Sequence, residues 1–230
     1  MVRLSESTTD AKVSPVPRLL LLVLVLLLAA CEATSSTSAV SAGLAPGEDG
    51  WRGSPLQSDA IMPGVTLTDV DGEDFALADE TAGTPTLLFF GYTSCPDICP
   101  IHLAAIASAM DQTDVRHEHL DVVFVTVDPD RDTPEVIEEW IANFDRRFTG
   151  LTGDMATIEE ALDGLDLPGP IVEGADPRGD GELIGHSAQV IGFDADGEVR
   201  RVWPFGTRRA DWIADLPRVV EEWGAVVDET

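Results

Sequence analysis

From about residue 60 onward the apolar positions fall into two kinds of block that alternate along the chain. Thr86-Leu87-Leu88-Phe89-Phe90 and Val122-Val123-Phe124-Val125-Thr126-Val127 are unbroken apolar runs, the pattern of strands covered on both faces. Each is followed by apolar residues at helical spacing. Leu103, Ile106 and Met110 form one stripe within Ile101–Met110. Val136, Ile137, Trp140, Ile141 and Phe144 form another, after Thr133-Pro134-Glu135, where Thr133 suits a helix N-cap and Pro134 the first turn. Further helices are predicted over Ala156–Leu165 and from about Arg209 to Trp223.

The remaining blocks are shorter and separated by turn residues. Val65-Thr66-Leu67-Thr68 and Phe75-Ala76-Leu77 flank Asp69-Val70-Asp71-Gly72, which predicts a hairpin with an Asp-Gly turn. Ala188–Phe193 and Glu198–Trp203 flank Asp194–Gly197 and predict a second. Residues 166–182 are rich in Gly, Pro and Asp and are expected to form a loop. Strand and helix in alternation, then a hairpin and a terminal helix, predict an α/β domain with a central mixed sheet and helices on both faces. This order resembles a thioredoxin fold with an added N-terminal hairpin.

The first thirty residues have a different pattern. Arg18 precedes an apolar run from Leu19 to Ala30, short for a bilayer span, which ends in Leu28-Ala29-Ala30-Cys31. This resembles a bacterial lipoprotein signal peptide, and the resemblance implies cleavage before Cys31 and lipid attachment to its thiol. The expected organisation is a signal peptide at 1–30, an acylated N-terminus and flexible Ser/Thr/Gly/Pro-rich tether at 31–59, and one domain at 60–230. The expected location is the extracytoplasmic face of the cell membrane, held by the lipid.

Charge narrows the function classes. The formal net charge is −28, and the only lysine, Lys12, lies within the signal segment. A polyanion of this kind is unsuited to nucleic acid. The acidity serves solvation and says little about chemistry.

Cysteine usage is more informative. With Cys31 assigned to lipid, only Cys95 and Cys99 remain, in Gly91-Tyr92-Thr93-Ser94-Cys95-Pro96-Asp97-Ile98-Cys99-Pro100 at the end of the first buried strand. Pro96 disfavours helical geometry at Cys95, which places that thiol in the turn, with Cys99 near the start of the following helix. Backbone N–H groups and the positive helix end favour a thiolate there. The spacing suits either one soft metal ion or a disulfide, and does not choose between them.

Of four histidines, His102, His117 and His119 read as solvated or core-edge residues. His186, in Leu183-Ile184-Gly185-His186-Ser187-Ala188, stands at the entry to the late hairpin and is by location the best third ligand. Two thiolates and an imidazole suit Cu(I), or Cu(II) with an added oxygen donor, whereas zinc in a closed site calls for a fourth protein ligand. The carboxylates of Asp128–Asp132 could bind a hard cation, but Pro129, Thr133 and Pro134 favour a strand-to-helix turn with a cap.

Three blocks in this order, Phe90–Pro100, Val125–Pro134 and His186-Ser187-Ala188, resemble the Sco/SenC family of membrane-tethered, thioredoxin-fold copper proteins. The resemblance implies copper binding by Cys95, Cys99 and His186, and help in assembling the dinuclear copper centre of cytochrome c oxidase subunit II. It admits two roles, copper metallochaperone or thiol–disulfide oxidoreductase, the latter with Cys95 and Cys99 as redox thiols. Gly185 departs from the family's pattern, which often carries Asp immediately before the histidine.

Overall fold

The computed structural model describes residues 44–56, 58–179 and 181–224. The predicted signal segment and Cys31 lie outside the described residues. No helix among those described is long and apolar enough to cross a membrane.

The two buried runs form β4 (Thr86–Gly91) and β5 (Asp121–Thr126), paired in parallel with Phe89 opposite Phe124. Every residue of β4 is buried although successive side chains point to opposite faces, so the sheet is covered on both sides there. The other strands are β1 (Ser54–Pro55), β2 (Thr66–Asp69), β3 (Asp74–Ala76), β6 (Thr149–Thr152), β7 (Ile171–Ala175), β8 (Glu182–Gly185), β9 (Val190–Phe193) and β10 (Val199–Trp203). Of the ten strands among the described residues, eight make one mixed sheet in the order β1-β10-β9-β4-β5-β6-β2-β3, while β7 and β8 pair only with each other.

The helices are α1 (Leu77–Glu80), α2 (Ile98–Thr113), α3 (Pro134–Ile141), α4 (Met155–Asp163) and α5 (Arg209–Trp223). Phe89 packs on His102 of α2, and Phe124 on Trp140 of α3, so both helices cover the face that Phe89 and Phe124 share. Helix α5 packs beside α2. Helix α3 starts where its sequence indicates, with Val136 N donating to the Thr133 hydroxyl and Pro134 in the first turn.

Both predicted hairpins form by the same turn chemistry. Asp69 Oδ1 accepts from the amides of Asp71 and Glu73, and Asp194 Oδ1 from those of Asp196 and Glu198. Gly72 (φ 80°) and Gly197 (φ 78°) take the left-handed position that closes each turn.

Three elements depart from expectation. Residues 166–182, expected to be a loop, contain β7 and lead into β8, a hairpin whose first strand is exposed throughout and so carries no apolar alternation. Thr149–Thr152 is a strand too short to show a period. Residues 49–55, placed with the tether in the sequence reading, are packed on the domain. Trp51 is buried and stacks on Trp223 at 5.2 Å, and β1 extends the sheet beside β10. Buried Asp215 accepts from the amides of Arg52 and Gly53 and from Trp203 Nε1, which fastens this segment to α5 and β10.

Candidate metal centre

The thiol loop leaves the C-terminal end of β4, at the middle of the sheet. Cys95 N donates to the Tyr92 carbonyl at 3.1 Å, forming a tight turn, and Cys99 follows as the second residue of α2. The expected arrangement therefore holds, with Cys95 outside the helix and Cys99 inside it. A Cβ built on Gly91 would stand 2.7 Å from Cys99 Sγ, so only glycine leaves room for the thiol against the strand.

His186 arrives from the other side of the sheet centre, one residue beyond β8. Its Nε2 lies 3.6 Å from Cys99 Sγ, and its Nδ1 donates to the Ser187 carbonyl at 2.9 Å. That second bond fixes the tautomer and leaves the Nε2 lone pair facing the sulfurs, the usual way in which a ligating imidazole is oriented. Tyr92 and Phe89 meet the His186 ring edge-on, at 5.7 and 6.1 Å between centroids. The ligand atoms of Cys95, Cys99 and His186 all lie within 4.8 Å of one another, and among the described residues no other metal-sized cluster of His, Cys, Asp and Glu occurs.

The two thiols are free and buried, and they share one proton unequally. A hydrogen bond from Cys99 pulls the Cys95 pKa down to about 4, outweighing burial, with help from His186 and from the backbone at Asp97 and Cys99. Burial pushes Cys99 well above the ordinary thiol range, and the neighbouring Cys95 thiolate adds to this. The result is a thiolate–thiol pair at neutral pH, in which the hydrogen bond from Cys99 is the main stabilisation of the thiolate and the helix-start amides that the sequence suggested add a smaller part.

The polar frame of the loop was only partly legible. Asp132 is fully buried and accepts from Thr93 N (2.9 Å), Thr93 Oγ1 (2.5 Å) and Thr126 Oγ1 (2.6 Å). The Asp128–Asp132 segment thus does more than turn and cap: it ties the residue two before Cys95 to the end of β5. An aspartate ending a polar loop gave no signal of this, because its partners lie on two other segments.

For His102, read from the sequence as solvated or core-edge, the structure excludes the first: it is buried, lodged between Phe89 and Phe205. Burial lowers its pKa to about 4, so it is neutral under ordinary conditions. His117 instead pairs with Asp145 at 3.1 Å, on the far side of the molecule's chemistry.

A dithiol at the mouth of a thioredoxin-like sheet, completed by one imidazole from the segment between β8 and β9, defines a protein built to hold a soft metal ion or to exchange electrons through sulfur. The comparisons place the chain more narrowly. A profile of the SCO1/SenC family matches residues 54–221, and the chain belongs to that family. It is 44% identical over 100 residues to an SCO2-like protein of Rickettsia prowazekii, covering 42% of this chain and 47% of that one. It is 34% identical over 132 residues to SenC of Rhodobacter capsulatus, covering 54% and 58%. The chain thus spans about half the length of these curated relatives. Among solved structures, copper-bound ScoI of Bradyrhizobium japonicum is 28% identical, with a TM-score of 0.58 over 73% of this chain and 98% of that one.

Proposed function

We propose that this protein binds one copper ion through Cys95, Cys99 and His186 and delivers it to the dinuclear copper centre of cytochrome c oxidase subunit II. The observation that carries the reading is the convergence of two sulfurs and one imidazole nitrogen within 4.8 Å, in a member of a family that includes a copper-bound ScoI. The donor set fits the ion: two soft thiolates and one imidazole suit Cu(I), and among the described residues no fourth Cys, His, Asp or Glu joins them as a closed zinc site would need. Loading requires loss of the Cys99 proton, so copper entry releases a proton from the pair. Delivery proceeds by exchange, each incoming thiolate of the recipient replacing one ligand of this site.

The setting belongs to the same proposal. Acylation at Cys31 would tether the domain to the outer face of the cell membrane, within reach of an exported oxidase domain. The test is a copper titration of the reduced full-length protein with spectroscopic identification of sulfur and nitrogen ligands. One copper per chain is expected, and His186→Ala should lose the nitrogen signal and weaken binding while the fold persists. Unchanged affinity in that variant removes His186 from the site.

A second reading has its own support, in the low pKa of Cys95 beside a protonated Cys99. Cys95 thiolate would attack a disulfide of the oxidase subunit, releasing one of its sulfurs as thiolate. Cys99, on losing its proton, would then attack Cys95 and release the other. The partner gains two electrons, and this protein leaves as the disulfide, to be re-reduced by a dithiol donor. Fast reduction of a disulfide substrate by copper-free protein, together with weak copper binding, would favour this role over delivery.

A further inference from the structure

The hairpin β7–β8 leads directly into His186, yet it pairs with no strand of the main sheet. On its C-terminal side His186 is held by β9, which pairs with β4 from Val190 onward; on its N-terminal side its place depends on what fastens this hairpin to the thiol loop. Arg178 Nη2 donates to the carbonyl of Ser94, the residue before Cys95, at 2.8 Å. The same guanidinium grips Asp176, with Nη2 at 2.7 Å from Oδ2 and Nε at 3.2 and 3.1 Å from the two oxygens. The Asp176 carboxylate is 2% exposed, so the anchor at this end is firm. Two other contacts run in parallel: Arg131 Nη2 donates to the Glu182 carbonyl at 2.9 Å, and Ile184 N to Tyr92 Oη at 3.3 Å.

Among these contacts, Arg178 alone reaches the backbone immediately beside a ligand cysteine. A planar guanidinium can hold a carboxylate with one edge and a carbonyl with another in a fixed geometry, which an ammonium on a flexible stem cannot reproduce. We propose that Arg178 is a positioning residue for the metal site: by joining Asp176 of the outer hairpin to Ser94 of the thiol loop, it holds His186 in register with Cys95 and Cys99. The inference rests on the copper site proposed above and adds a residue that touches none of its ligand atoms.

The test uses the full-length reduced protein and copper alone. Cu(I) affinity is measured by competition with a chromogenic chelator, nitrogen coupling by paramagnetic resonance of the Cu(II) form, and backbone protection by hydrogen exchange of the copper-free protein. Arg178→Gln is expected to bind one copper with both sulfurs, about tenfold or more weakly, as for other outer partners of metal ligands. Its nitrogen coupling should be reduced, and the amides of Glu182 and Ile184 should exchange faster, with those of β4 unchanged. Arg178→Lys should recover only part of the affinity. Asp176→Asn, which loosens the other end of the bridge, should repeat the pattern and serves if Arg178→Gln folds poorly. Wild-type affinity and nitrogen coupling in both variants would overturn the role. So would an equal loss in Arg200→Gln, a surface arginine that pairs with Asp194 and Glu198 away from the site. Failure of the wild-type protein to bind copper through sulfur and nitrogen is a separate result, seen before any variant is made, and it would overturn the copper reading and the positioning role together.

Discussion

His186 Nε2 stands 3.6 Å from Cys99 Sγ although 87 residues separate them. The contact exists because β9 lies directly beside β4 in antiparallel register, with Val190 opposite Phe89, so the chain just before β9 passes over the loop that follows β4. Two segments distant in sequence thereby deliver three ligand atoms to one end of the sheet.

The shared proton of the dithiol gives a pH signature. The pair should lose its first proton at about pH 4, from Cys95, and its second only above the ordinary thiol range, from Cys99. Because the lowered group is charged above its folded pKa, one thiolate's ultraviolet absorbance should persist from neutral pH down to about 4 and vanish below it. Two thiols titrating together near their ordinary value would contradict the arrangement.

Gly91→Ala should injure the site through sterics alone. The new methyl would lie 2.7 Å from Cys99 Sγ and 3.0 Å from Phe124, leaving no free volume for it. Overpacking of this kind costs roughly 1–3 kcal/mol, and here it would also displace a ligand. Chemical denaturation should show the loss of stability, and copper titration a weakened site.

Asp132→Asn tests the frame of the loop. The carboxylate accepts from one amide and two hydroxyls, and an asparagine offers one oxygen together with an NH2 group facing the same donors. A cost of about 2–3 kcal/mol is expected from the donors left unpaired in a buried site. The loosened Thr93 should weaken copper binding as well, measured beside the urea midpoint.

Asp215→Ala is the contrasting case. It removes the acceptor for Arg52 N, Gly53 N and Trp203 Nε1, far along the chain from the thiols. Stability should fall by about 2–4 kcal/mol as buried donors lose their partner. Copper affinity of the folded protein should stay at the wild-type level, which thermal unfolding and titration measured on the same sample would establish.

Much of the fold was written locally. The unbroken runs of β4 and β5, the Thr133-Pro134 helix start and the two Asp-x-Asp-Gly turns each specify their own geometry through burial period, capping or backbone conformation, without reference to distant residues. The sequence alone therefore determined the alternating core, the strand-to-helix setting of Cys95 and Cys99, and His186 as the third candidate by its place before a late hairpin. What it could not contain was adjacency. Whether His102 is solvated or sealed between Phe89 and Phe205, that Asp132 holds Thr93, that Arg178 reaches Ser94, and that Trp51 closes onto Trp223 all depend on pairs from separate segments. Such pairs leave no period in either segment, because hydrogen bonds and packing act through space and are decided only when the sheet order brings the partners together.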